Sequence, residues 1–278
     1  MSFYSPRFSY IELKLVNNNF LMYKFLKYSC FLFLLLEVFG CFVSRKLIFL
    51  AQGKDTLPSY SGTLLQIQNK DRIVYAYFTR NSSRLAVVFH GQHGTLQSIS
   101  YLGAKLSKMG FSVLLVEYPG YGKAKRYFSS ESNVYSDADA AINFVQKNFS
   151  FSKQNTVAVG YSLGTGVAVE MARKNLVSKM ILFAPYTSIP DVASYRYVPI
   201  LPQILIWDRF NSISKSKDIT LPVLIVHGKK DIAVPYYMGE TLSKSFFNAK
   251  LITLSNANHS IFEFITETHW KLIRDFVQ

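Results

Sequence analysis

Along the middle of the chain, short continuous apolar runs alternate with longer stretches in which apolar residues recur every three to four positions. The runs fall at residues 85–89, 113–116, 156–159, 180–183, 223–226 and 251–254, and runs of this kind are expected of strands covered on both faces. Residues 99–109, 137–148, 163–174, 236–247 and 262–277 carry the helical period between and after them. Strands alternating with helices imply right-handed crossovers and a mainly parallel sheet with helices on both faces. Two earlier segments, 64–67 and 73–78, alternate with period two around Asn69-Lys70-Asp71 and predict an antiparallel hairpin.

Two stretches break this rhythm. Residues 185–217 hold four of the nine prolines (Pro185, Pro190, Pro199, Pro202) and an apolar patch at 200–207. Placed after the sixth strand, they would lie over the carboxyl edge of the sheet, where open α/β sheets bind ligands. They read as a short lid. At the other end, residues 28–43 are almost wholly apolar apart from Glu37, with Lys24 and Lys27 before and Arg45 and Lys46 after. Sixteen residues is short of the roughly 20 that a spanning helix needs, and Glu37 would be costly at a bilayer centre. Three readings follow: an uncleaved membrane anchor, a cleaved or lipidated signal if translation starts at Met22, and a helix packed on the domain. The expected organisation is a hydrophobic anchor or signal segment over 1–52 and one catalytic domain over 53–278.

Composition narrows the function classes. Hydrophobic residues are 49% and charged residues 17%, which excludes a disordered chain. A net charge of +14 could draw the chain to nucleic acid or to an anionic lipid surface. The basic residues are scattered, so no nucleic-acid partner is expected. The two cysteines, Cys30 and Cys41, both lie in the N-terminal segment, leaving none for a nucleophile or disulfide in the main domain. No cluster has metal-ligand spacing, and neither a metal nor a cofactor is expected.

The chemistry-bearing residues are arranged in order. Gly160-Tyr161-Ser162-Leu163-Gly164 follows an apolar run and opens a helical segment, which is the context that a nucleophilic serine on a strand-to-helix turn requires. Gly160 and Gly164 let the backbone approach closely there. The serine needs a base, and the base needs an orienting carboxylate. His259 lies in the polar turn between the last strand and the last helix, and Asp231 lies just past the penultimate strand. Asp208 and Asp218 precede that strand and fit the acid position less well. His90 and His93 precede the serine, His227 ends a buried run, and His269 sits inside the last helix. Two amide donors should bind the oxyanion: Leu163 N–H and, from the turn His90-Gly91-Gln92-His93-Gly94, Gln92 N–H, with His90 and Gly91 shaping that turn.

These landmarks, with Glu117-Tyr118-Pro119-Gly120-Tyr121-Gly122, Pro185-Tyr186-Thr187-Ser188, Asp208-Arg209-Phe210 and residues 222–235, resemble one branch of the α/β-hydrolases. That branch is the membrane-associated, short-lid, Bem46-like group often labelled serine aminopeptidase-like. The likeness spans roughly residues 60 to 275; Gln92 stands where His-Gly-Asn is common in the group. The resemblance implies an α/β-hydrolase fold and hydrolysis of carboxylic esters or thioesters, with acyl lipids or S-acylated proteins as substrates. It also implies membrane association. A serine peptidase acting on short peptides is the enzymatic alternative. A non-catalytic binding module on the same fold is the third reading, and the presence of all three triad residue types argues against it.

Overall fold

The computed structural model of the chain describes residues 10–51, 56–197 and 201–278. The expected boundary at 52/53 lies outside the described residues. Strands β1 (Thr63–Asn69) and β2 (Arg72–Thr79) form the hairpin, turning at Lys70 with φ 56°. The apolar runs become β3 (Leu85–Phe89), β4 (Ser112–Val116), β5 (Thr156–Tyr161), β6 (Lys179–Phe183), β7 (Val223–Gly228) and β8 (Ala249–Leu254), all buried except β8, which is an edge strand and only half-covered. They assemble into one eight-stranded sheet in the order β1-β2-β4-β3-β5-β6-β7-β8. The β1–β2 and β2–β4 pairings are antiparallel and the rest parallel.

Helices α2 (Ser100–Lys108), α3 (Glu131–Phe149), α4 (Leu163–Arg173), α8 (Tyr236–Ser245) and α9 (Glu267–Val277) cover both faces. Alternate residues of each strand feed two separate apolar cores. Val87, Leu114 and Ala158 pack toward α3, α4 and α8, whereas Val88, Leu115 and Val159 pack toward α2 and α9. Burial of this kind, about 25 cal/mol per Å² of apolar surface, is the main force holding the layers together.

Two helix starts differ from expectation by five residues or more. α3 begins six residues before the apolar period does, because the Ser130 hydroxyl accepts the Asn133 N–H and caps a polar first turn. α9 begins later than residue 262, because residues 261–263 form a short 3-10 turn and Thr266 supplies the cap with His269. His269 therefore serves the helix terminus.

The interrupted stretch folds as α5 (Ile189–Arg196), α6 (Leu201–Leu205) and α7 (Ser212–Lys215). Beside it runs α1 (Tyr10–Ile48), a 39-residue helix that takes in the apolar run at 28–43. Among the described residues no helix is long and apolar enough to cross a membrane. The side chains of Phe25, Tyr28 and Phe31–Leu35 are exposed, whereas Gly40, Ser44 and Ile48 are buried. Glu37 accepts a 2.9 Å hydrogen bond from the Trp207 indole N–H, and Arg45 forms an ion pair with Asp208. The last three turns of α1 are thereby fastened to the lid.

Candidate active site

β5 ends at the sheet's centre, between β3 and β6, and the chain turns from it directly into α4. Ser162 makes that turn with φ 51° and ψ −118°, a backbone conformation that a residue bearing a Cβ adopts only under strain. The glycines on either side are required by contact. A Cβ on Gly160 would stand 2.4 Å from Gly164 O, and one on Gly164 would stand 2.2 Å from Phe89 O. The close approach of α4 to β3 lifts the serine hydroxyl above the strand ends.

Asp231 follows β7 and is tightly held. Its Oδ1 accepts N–H groups from Ala233 at 2.9 Å and Val234 at 2.8 Å, which fixes the carboxylate plane and turns Oδ2 toward His259. His259 Nδ1 lies 2.8 Å from that Oδ2, and its Nε2 lies 3.0 Å from Ser162 Oγ. A carboxylate only accepts, so Nδ1 carries the proton and Nε2 presents its lone pair to the serine hydroxyl. Burial pushes the Asp231 carboxyl up, but hydrogen bonds from His227, His259 and the Val234 N–H outweigh it. The net effect holds Asp231 well below the usual carboxylate range.

Three residues to which the sequence pattern assigns no catalytic role support this arrangement. Tyr161 donates its hydroxyl to His259 O at 2.9 Å and lies against the imidazole, with ring centroids 5.5 Å apart. Burial, aided by the Asp231 charge, pushes the Tyr161 phenol up to about 12, so it remains a donor. His227 lies below Asp231. Its Nε2 is 3.0 Å from Val234 O, which can only accept, so the proton sits on Nε2 while buried Nδ1 has no hydrogen-bond partner among the described residues. Glu117 is 2% exposed and sits 3.1 Å from Nε2 of His90, itself fully buried.

The Glu117–His90 pair stiffens the turn expected to carry the second oxyanion donor. His90 Nδ1 donates to Gly91 O at 2.8 Å, Tyr118 OH to His90 O at 2.9 Å, and Tyr121 OH to Gln92 O at 2.8 Å. Leu163, as the first residue of α4, has an N–H outside the helix's own hydrogen-bond ladder. Gly91, Gln92, Ser162, Leu163 and His259 all border one cavity of about 790 Å³. Glu117→Ala leaves the buried His90 Nε2 without its partner, and a loss of about 1–3 kcal/mol is expected. Urea unfolding measures it, and a loss under about 1 kcal/mol would show the pair to be dispensable.

Comparison with known proteins follows the same lines. Residues 80–209 match the family described as serine aminopeptidase, S33, and residues 208–277 match the one described as TAP-like protein. The chain belongs to the α/β-hydrolase superfamily. It is accordingly a hydrolase. It is 29% identical to an uncharacterized protein of Mycobacterium tuberculosis over 194 residues, covering 68% of each chain. It is 31% identical to the human alpha/beta hydrolase domain-containing protein 17C over 160 residues, 57% of this chain and 47% of that protein. In fold it is similar to the Pyrococcus furiosus esterase Pf2001, with TM-score 0.67 and 16% identity, covering 82% of this chain and 98% of that one.

Proposed function

We propose that the chain is a serine hydrolase cleaving carboxylic esters or thioesters of acyl chains through an acyl-enzyme. The observation carrying this reading is the hydrogen-bonded series Ser162–His259–Asp231 at the edge of a large apolar cavity. Ser162 Oγ attacks the carbonyl carbon while its proton passes to His259 Nε2, and Asp231 stabilises the imidazolium. The Leu163 and Gln92 N–H groups hold the oxyanion. Collapse breaks the bond to the alkoxide or thiolate, which takes the proton from His259 Nε2. Water then attacks the acyl-enzyme with His259 again as base, releasing the acid and restoring the serine hydroxyl.

The cavity favours an acyl substrate over a peptide with a free amino terminus. Its volume of about 790 Å³ suits a molecule of lipid size, and no Asp or Glu is among the described residues that line it. An ammonium group would find no counter-charge there. A lipid surface fits the same reading, since Phe25 and Phe31–Leu35 present exposed apolar side chains on α1 near Lys24 and Lys27. Purified protein should hydrolyse p-nitrophenyl esters and an S-palmitoyl peptide and leave aminoacyl-p-nitroanilides intact. Cleavage of the anilides in preference to the esters would replace this reading with the peptidase one.

A further inference from the structure

The cavity beside Ser162 is bounded on one side by α1. Gly40, Ser44 and Ile48 recur every four residues, with Val43 and Leu47 between them, so all five fall on one stripe of the helix. That stripe runs for about 12 Å along the helix axis. Val192 and Ala193 of α5 and Leu205 of α6 line the same cavity.

We propose that α1 is part of the substrate site: its Gly40–Ser44–Ile48 stripe is one wall of the subsite that receives the acyl chain. The inference rests on the acyl-ester reading above and extends it to a segment outside the strands and loops that carry the triad. Residue size supports it. The two smallest side chains of the stripe leave the lumen open, whereas a Cβ on Gly40 would already stand 2.9 Å from Leu205 Cβ. The helices therefore touch at Gly40, while the neighbouring α1 residues Val43, Ser44, Leu47 and Ile48 border the same cavity as Ser162.

The wall is fastened to both sides of the site. Glu37 accepts from the Trp207 indole N–H, and Arg45 pairs with Asp208. Asp208 Oδ1 in turn accepts the Glu131 N–H at 2.7 Å, and Glu131 Oε2 accepts the Arg209 N–H at 2.7 Å. On the other side, the Gln92 side-chain amide donates to Leu47 O, tying the last turn of α1 to the expected oxyanion turn. A helix serving only to tether the protein would need neither link. The occupant is an acyl chain because the apolar lumen opens directly on Ser162 and His259, and the chain is covalently continuous with the carbonyl that Ser162 attacks.

The test uses the full chain and compares kcat/KM on p-nitrophenyl butyrate and palmitate. Ser44→Phe fills the groove from α1, and Val43→Phe does so one position earlier on the same stripe. Each should lower the palmitate-to-butyrate ratio by about tenfold or more. An unchanged ratio in both folded variants overturns the proposal. If wild type hydrolyses neither ester, the acyl-ester reading fails separately, and the groove is tested by cis-parinaric acid fluorescence on the Ser162→Ala protein. Binding weakened about tenfold by adding Ser44→Phe supports the wall; absent binding, or binding indifferent to Ser44→Phe, overturns it.

Discussion

Replacing Ser162 with alanine is expected to abolish ester hydrolysis, with kcat falling by about 10⁶. The hydroxyl is the only nucleophile that His259 Nε2 faces within hydrogen-bond reach among the described residues, at 3.0 Å, and no cysteine is available in the domain to substitute. A residual rate within about tenfold of wild type would remove Ser162 from its role. The same position makes a second, opposite prediction about stability. At φ 51° and ψ −118° any Cβ is strained, and glycine is not. Ser162→Gly should therefore be about 1 kcal/mol more stable than Ser162→Ala in urea unfolding, although both are inactive. Equal stabilities would mean that the turn is relaxed in solution.

Asp231→Asn is expected to lower kcat by about 10⁴ while leaving the backbone in place. The reason is specific to how the side chain is held. The N–H groups of Ala233 and Val234 require an acceptor at Oδ1, so the amide nitrogen of an asparagine must occupy the other position and face His259 Nδ1. Two donors cannot meet, so the imidazole proton moves to Nε2 and the lone pair toward Ser162 is lost. The stability consequence has a definite sign. The folded carboxyl is held below its unfolded range, so its contribution is complete above about pH 4 and is lost as pH falls through the folded value. The stability gap between wild type and Asp231→Asn should be full at neutral pH and should narrow on acidification. A gap that widens toward acid would contradict the assignment of His227 and His259 as donors to Asp231.

The parts of this molecule that were legible in its sequence are those where one local pattern has one structural solution. Five buried strands, β3 to β7, announce themselves as continuous apolar runs because both of their faces are covered, and Ser162 stands between two glycines directly after one of them. His259 and Asp231 could be placed because each follows a strand of the parallel sheet. The start of α3 was hidden by its polar first turn, where a cap decides the boundary and hydrophobic period does not. Glu117 was hidden differently. Its partner His90 is 27 residues away, and only the pairing of β3 with β4 brings the two strand ends together. For α1, uniform hydrophobicity concealed the difference between the exposed residues 22–35 and the buried Gly40–Ser44–Ile48 stripe, and Glu37 gave no sign that Trp207 would meet it.

The position of β8 has a consequence for how the protein comes into being. This strand lies at the sheet's edge, paired only with β7, and the turn that follows it carries His259. Ser162 and His259 are separated by 97 residues of chain. At a synthesis rate of about 5–20 residues per second, a nascent chain holds its serine for on the order of 5–20 s before the histidine has been made. During that interval β3, β5 and the strained turn can form, yet the hydroxyl has no base and acts on nothing. On the proposed mechanism, the chain becomes reactive only when its last strand docks.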